Sequence, residues 1–136
     1  MFGFLDRAAG PLLSVLRLVS GLLFLEHGTM KLLHFPPSDH PAMPLTPVIL
    51  TAGLLELIGG ALLSAGLFTR LVAFVLSGEM AVAYFMAHAP KSFYPALNGG
   101  EAAILFCFTF LYLAAAGGGP WSLDNVLARK RAPTSP

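Results

Sequence analysis

The chain has 136 residues, of which 56% are hydrophobic and only 11% charged, and its mean hydropathy is +0.75. Soluble domains carry about 25% charged residues, so this composition argues against a water-soluble monomer. A net charge of +1 without a basic face argues against a nucleic-acid binder, and the apolar content excludes a disordered chain. The single cysteine, Cys107, excludes a disulfide framework and a Cys-rich metal site. The composition therefore predicts a small integral membrane protein.

Four apolar segments approach the length of about 20 residues that a helix needs to cross a bilayer. They cover Leu12–Leu33, Thr46–Phe68, Leu71–Ala89 and Gly100–Ala116, and we interpret Met1–Arg7 as an interfacial lead-in to the first. Because each helix must satisfy its own backbone in lipid, the sequence predicts an all-α membrane protein with four transmembrane helices in an antiparallel bundle.

The connections between the segments are short. A proline-rich stretch from Pro36 to Pro47 ends the first segment, and Thr69-Arg70 leaves room only for a tight turn before the third. Pro90–Gly99 forms the third connection, and Gly117–Pro120 ends the fourth segment.

The C-terminal residues predict a short interfacial helix, Leu123–Lys130, capped by Ser122. Most of the basic residues fall on the side of the membrane that holds both termini. They are Arg7, Arg17, Arg70, Arg129, Lys130 and Arg131, whereas Lys31 and Lys91 lie near the other two loops. The positive-inside rule then places both termini in the cytoplasm. We divide the chain into one transmembrane domain, residues 1–125, and a basic cytoplasmic tail, residues 126–136.

The first and third segments share a pattern that indicates an internal repeat. Arg17-Leu18-Val19 precedes Glu26 by the same nine-residue interval that separates Arg70-Leu71-Val72 from Glu79. Two helical hairpins of like orientation would produce this pattern, and chance similarity between apolar helices remains the alternative.

Each predicted helix carries one glutamate: Glu26, Glu56, Glu79 and Glu101. An ionisable residue within a membrane is costly and is a functional hypothesis by default, so we expect these side chains to face the bundle interior. We expect Glu101 to lie close to the outer surface and to be ionised. At least one of the other three should be protonated at neutral pH, with Glu79 the best candidate.

Basic and imidazole side chains lie at similar depths. Lys31 would pair with Glu26 or Glu56, and His27 or His88 would relay protons. Together with the four glutamates they form a predicted outward-opening polar pocket. Arg17 and Arg70 are interpreted as anchors at the cytoplasmic edge, reaching lipid phosphates.

Two interpretations of this pocket stay open from the residues alone. It is either a polar network that fixes helix register, or a quinone or proton pocket. The spacing does not match a di-iron bundle, so no metal is expected. Cys107 is interpreted as a small core residue. Either of two surfaces rich in small residues, Gly60/Ser64 or Ala114–Gly118, could build a homodimer.

Several motifs together resemble the DoxX family over residues 12–125. The first helix carries Arg17-Leu18, Gly21, Phe24, His27-Gly28 and Lys31-Leu32, and the second carries Gly53-Leu54-Leu55-Glu56 followed by Gly59-Gly60 and Thr69-Arg70. Gly99-Gly100-Glu101, Gly117–Gly119 and Ser122-Leu123-Asp124 are similar to the last helix and tail of the family. The resemblance carries over the motif positions His27, Lys31, Glu56, Arg70 and Glu101.

The resemblance implies a bacterial inner-membrane protein that is linked to quinone-dependent oxidoreductase or redox-stress systems. Quinone is the cofactor that this implies. We therefore expect an accessory or quinone-facing subunit with a membrane or soluble redox enzyme as partner. The alternatives are a non-catalytic scaffold or assembly factor and, third, a small transporter. This chain lacks the additional cysteines that thiol chemistry would require.

Overall fold

The computed structural model describes residues 3–37 and 44–131, and within these ranges the chain is helical and contains no β-strand. The helices are α1 (Gly3–Leu33), α2 (Pro47–Ala65), α3 (Thr69–Ala83), α4 (Pro95–Asn98), α5 (Glu101–Ala116) and α6 (Leu123–Arg131). A π-helical turn, Tyr84–His88, continues α3.

Three helical stretches, Leu5–Leu33, Pro47–Ala65 and Thr69–His88, are long and apolar enough to cross a membrane, and Glu101–Ala116 is a shorter apolar helix. Large apolar side chains cover their outer surfaces. Large apolar side chains on the outer surface of long helices are favourable in lipid, whereas a protein surface in water rarely exposes so large an apolar area. The chain is therefore a multi-pass, all-helical membrane protein in contact with lipid.

The bounds of the predicted helices lie within three residues of the sequence prediction except at the N-terminus. Helix α1 begins at Gly3 instead of Leu12, so the lead-in is part of the helix; Met1 and Phe2 lie outside the described residues. Pro11 lies inside the helix, where it removes one backbone donor without ending α1. Composition does not distinguish a lead-in from the first turns of a long helix. Residues 38–43 of the first connection also lie outside the described part of the chain.

Helix α2 has the ends that its sequence specifies. The hydroxyl of Thr46 accepts a hydrogen bond from the Ile49 amide at 3.3 Å, and Pro47 occupies the first turn. The helix ends three residues before the predicted Phe68, because Gly66 adopts a left-handed conformation with φ of +71°.

The helices pair as two hairpins. Helix α1 packs along α2, and α3 packs along α5, with a thinner contact between α2 and α3. Glycines bring α1 and α2 close: a Cβ at Gly60 would lie 2.5 Å from the Leu25 amide, and one at Gly21 would lie 2.7 Å from the Ser64 amide. The largest fully buried apolar side chains come from all four long helices: Phe24, Leu63, Leu76, Phe110 and Leu113.

Helix α6 is tied to the turn between α2 and α3. Ser122 caps it as predicted, accepting from the Asn125 amide at 3.2 Å, and the helix ends one residue beyond Lys130. The Asp124 carboxylate accepts hydrogen bonds from the Phe68 and Thr69 amides, each at 2.8 Å, and so caps the start of α3. Burial opposes the charge of Asp124, but these hydrogen bonds and the nearby Arg17 outweigh it and hold its pKa below the usual value.

Candidate functional site

A buried ion pair joins α1 to α2. Glu56 lies midway along α2 and is only 2% exposed, and its Oε1 contacts the ammonium of Lys31 from the last turn of α1. Of the two partners considered for Lys31, the structure shows Glu56 rather than Glu26. The second oxygen, Glu56 Oε2, is buried and has no hydrogen-bond partner among the described residues.

Glu79 of α3 lies next to this pair. Both of its carboxylate oxygens are buried without a hydrogen-bond partner in the described part of the chain. The helix register explains the proximity. A Cβ at Gly59 would meet Leu76 at 2.8 Å, so Glu56, three residues before Gly59, is level with Glu79, three residues after Leu76 on the antiparallel helix. We name Lys31, Glu56 and Glu79 the carboxylate cluster.

The carboxylate cluster combines two carboxyl groups with one ammonium in a buried position. Buried polar groups are normally hydrogen-bonded, and three unpaired carboxylate oxygens at one site are an exception. Such oxygens are stabilised by binding a proton, a water molecule or a donor group from a ligand. The cluster is therefore suited to exchange protons or to hold a small molecule with hydroxyl or carbonyl groups.

The structure does not place all four glutamates in one pocket. Glu26 and Glu101 are exposed, so the expectation that every glutamate faces the bundle interior does not hold for these two. Glu101 lies in the first turn of α5, close to a helix end, as its position in the sequence indicated. The reason for the error is geometric: equal spacing along two helices does not give equal rotation about their axes. Only Glu56 and Glu79 are brought together.

The two candidate histidines lie apart from the carboxylate cluster. His27 is exposed, and its ring meets the edges of Phe24 and Phe106 with centroids 6.3 Å away in each case. His88 is half-buried at the end of the π-helical turn, where Nδ1 lies 3.1 Å from the carbonyl of Asn98. The ring of His88 also stacks on Tyr84 at a centroid distance of 6.4 Å.

Tyr84 is a site residue that the sequence reasoning missed. It follows Glu79 by five residues on the same helical run, and its hydroxyl accepts a hydrogen bond from the amide of Asn98 at 3.4 Å. Asn98 is buried and also donates to the Ser92 carbonyl at 2.9 Å. These contacts fix the loop above α3. A tyrosine near a buried carboxylate on one helix was the available signal in the sequence.

Arg17 binds backbone carbonyls instead of lipid phosphates. It is only 2% exposed, and its guanidinium donates hydrogen bonds of 2.5–2.9 Å to the carbonyls of Leu63, Ser64, Gly118 and Trp121. The end of a helix leaves its last carbonyls without intrahelical partners, and a buried guanidinium can satisfy several of them. Arg17 thus ties α1 to the end of α2 and to the loop after α5.

Arg70 makes the corresponding contact in the second hairpin. Its guanidinium donates to the carbonyls of Ala114, at 3.1 Å, and Ala115 at the end of α5. Unlike Arg17, it is exposed. We refer to these two arrangements as the Arg17 clamp and the Arg70 clamp.

The structure also contains two cavities, neither of which is lined by Lys31, Glu56 or Glu79. A groove of about 360 Å³ follows the seam between α2 and α3, lined by apolar side chains such as Leu55, Ile58, Val72 and Val75, together with Thr51. A more open cleft of about 580 Å³ lies at the start of α3, around Arg70 and α6. Within the described residues, no group of three or more His, Cys, Asp and Glu side chains is arranged to hold a metal ion.

Comparison with known proteins identifies the family. The DoxX family model matches residues 12–89, which is more than half of the chain. A protein of Haemophilus influenzae described as uncharacterized is 44% identical over 131 residues, covering 93% of this chain and 98% of its own length. No solved structure matches. The chain belongs to the DoxX family.

Proposed function

We propose that this DoxX-family protein is a quinone-facing accessory subunit of a membrane oxidoreductase or redox-stress system, and that the carboxylate cluster is where it meets the quinone. One observation carries the proposal. Three buried carboxylate oxygens, Glu56 Oε2 and both oxygens of Glu79, have no hydrogen-bond partner among the described residues. Glu56 Oε1 contacts the ammonium of Lys31, and Glu79 is level with Glu56 on the neighbouring helix. An intramembrane site of this kind is unusual unless it binds something.

The chemistry of the residues fits a quinone headgroup. A bound quinone would supply two-electron chemistry coupled to the transfer of two protons. An ammonium has three N–H donors, and Glu56 accepts one from Lys31, so the others can donate to a carbonyl oxygen. Glu56 and Glu79 can accept hydrogen bonds from hydroxyl groups when ionised and donate one when protonated. The same three side chains can thus hold either redox form.

The groove between α2 and α3 supports the same proposal. It lies along the seam whose register makes Glu56 level with Glu79, and its lining is apolar apart from Thr51. An apolar tail would bury hydrocarbon against Leu55, Ile58 and Val75. The groove would position a tailed ligand at the depth of the carboxylate cluster.

Proton exchange with the outer surface would use the upper part of α3. Tyr84 and His88 follow Glu79 toward the loop, and their rings stack on each other. Both side chains can donate and accept protons or hydrogen bonds. His27 lies on the exposed side of α1, so His88 is the better placed of the two histidines for a proton relay.

We further propose four spans, with both termini in the cytoplasm, in the inner membrane of a bacterial cell. Helix α5 has 16 residues, or about 24 Å, and needs only a few residues of its flanking loops to complete a span. The bond from Arg17 to the Trp121 carbonyl keeps the tail near the N-terminal half of α1. This supports counting the basic residues of both regions on one side.

Binding of a short-chain ubiquinone or menaquinone analogue to the protein in nanodiscs tests the proposal. We expect saturable binding that is lost in Glu56→Gln and in Glu79→Gln, because each replaces a carboxyl of the cluster. Glu101→Gln is the matched control: it makes the same chemical change at an exposed position and should bind normally. Absence of saturable binding, or equal binding by all four proteins, would refute the proposal.

A second candidate function is a membrane scaffold or assembly factor for a soluble enzyme. It is favoured by α6, whose last turn carries Arg129, Lys130 and Arg131 and whose Val126 and Leu127 are exposed. An amphipathic basic helix is a common docking element. Purification of the protein with its native membrane partners separates the two functions, since a stable enzyme partner without bound quinone supports the scaffold.

A further inference from the structure

Glu26 occupies an unusual place for a carboxylate in a membrane protein. It is exposed on α1, and its side chain makes no hydrogen bond or ion pair with any residue that the structure describes. This sets it apart from Glu56 and Glu79, which point into the bundle.

The height of Glu26 makes this exposure costly. A Cβ at Gly28 would touch Leu57, and one at Gly60 would lie 2.5 Å from the Leu25 amide, so Glu26 is level with the middle of α2. The middle of a spanning helix lies near the centre of the bilayer, where hydrocarbon offers no hydrogen-bond partner. Ionisable side chains at this depth normally face protein or pair with one another.

The residues above and below Glu26 form a regular line. Leu12, Val19, Glu26 and Leu33 recur at intervals of seven, and all four are exposed. We name them the heptad line. A seven-residue interval keeps one face of a helix against a second helix in a left-handed pair, and a single polar residue in such a line fixes register and partner number.

From this line we propose that the protein forms a parallel homodimer through α1, with the Glu26 side chains of the two copies meeting at the two-fold axis. A two-fold axis along the membrane normal gives both copies the same orientation and places identical residues opposite each other. Two carboxyl groups that share a proton satisfy each other, whereas lipid satisfies neither.

The alternative dimer surfaces are already used within one chain. Gly60 and Ser64 face Gly21 and Leu25 of α1. In the Ala114–Gly118 region, a Cβ at Gly118 would lie 2.7 Å from the Cβ of Ser122 and 2.8 Å from the Thr69 hydroxyl. The glycines of these two surfaces are thus in contact within one chain, whereas Glu26 on the heptad line has no polar partner among the described residues.

Disulfide crosslinking in native-lipid membranes tests the interface. In a Cys107→Ser background, Val19→Cys introduces one thiol on the heptad line, and Leu71→Cys introduces one on the exposed face of α3 at a similar height. Mild oxidation should convert Val19→Cys to a dimer of twice the chain mass and leave Leu71→Cys monomeric. Equal crosslinking at both positions, no crosslinking at Val19, or an adduct with a different protein would overturn the proposal.

The polar contact is tested separately by energy transfer between labelled copies diluted in lipid vesicles. We expect Glu26→Leu to lower the association constant about tenfold, as loss of an interhelical hydrogen bond would. Glu26→Gln, which can still pair through its amide, should keep most of the association. If Glu26→Leu associates as well as the parent protein, Glu26 does not hold the dimer together.

Discussion

The two helical hairpins of this protein have the same kind of contact at one end and different contacts at mid-depth. In α1–α2 and in α3–α5, an arginine of the first helix binds the last carbonyls of the second, through the Arg17 and Arg70 clamps. At mid-depth, the first hairpin is joined by the buried pair of Lys31 and Glu56, whereas in the second Ser77 donates to the Cys107 carbonyl at 2.8 Å.

This difference helps to distinguish contacts that stabilise the fold from contacts that serve a function. An arginine clamp occurs in both hairpins. We therefore interpret it as structural: it joins the two helices of a hairpin at one end. The charged pair occurs in the first hairpin and is level with Glu79 of the second, so we infer that it serves a role specific to this place. We therefore propose that the clamps serve stability and that the carboxylate cluster serves binding, and each role can be tested by substitution.

The largest expected effect is at Arg17. Arg17→Ala leaves four carbonyls of two segments without their donor, and we expect the free energy of unfolding to fall by about 3–5 kcal/mol. Arg17→Lys should recover little, because one ammonium cannot reproduce the planar set of donors. Thermal unfolding in detergent measures both. Arg7→Ala, an exposed arginine of the same helix, is the control and should change little.

The next largest effect is at Lys31. Lys31→Met removes the only ammonium that contacts Glu56 in the described part of the chain, and we expect a loss of about 2–3 kcal/mol, moderated because Glu56 can take up a proton instead. The double variant Lys31→Met/Glu56→Gln should regain part of the loss. Lys91→Met, at an exposed loop position, is the control. An unchanged unfolding temperature in Lys31→Met would show that the pair does not stabilise the first hairpin.

Arg70 should matter less than Arg17, although its place in the repeat is the same. Its guanidinium is exposed, so water can replace it as a donor to the same carbonyls. Arg70→Ala should therefore lower the free energy of unfolding by about 1 kcal/mol. Thermal unfolding of the two alanine variants in parallel gives the comparison. Equal losses would mean that burial does not distinguish the clamps.

The smallest expected effect concerns pH and the tail. The pKa of Asp124 is held below its usual value by the Thr69 and Phe68 hydrogen bonds and by Arg17, against the effect of burial. The cap therefore stabilises the fold fully above the ordinary aspartate pKa of about 3.9, and this contribution is lost as the pH falls below it. Asp124→Asn should cost about 1 kcal/mol at pH 7 and weaken the loss of stability in acid. Asp6→Asn is the control, because the Asp6 side chain makes no hydrogen bond with any residue that the structure describes, and its stability at pH 7 should change little.

Sequence reasoning predicted the helices better than it predicted their contacts. Apolar length and glycine or proline boundaries located α2, α3 and α5 to within a few residues, because these features act locally. The Arg17 clamp could not be predicted, since its four acceptors are main-chain carbonyls that every residue type carries. The rotation of each helix about its axis was equally inaccessible, which is why Glu26 was expected inside the bundle and is found outside.

Infrared difference spectroscopy of the protein in lipid, with and without a short-chain quinone analogue, tests the central claim most directly. If the carboxylate cluster holds the headgroup, addition of the analogue changes a carboxyl absorption band, and this change is lost in Glu79→Gln and kept in Glu101→Gln. A spectrum in which the analogue alters no carboxyl band, or alters one that persists in both Glu56→Gln and Glu79→Gln, would contradict the assignment of this cluster as the binding site.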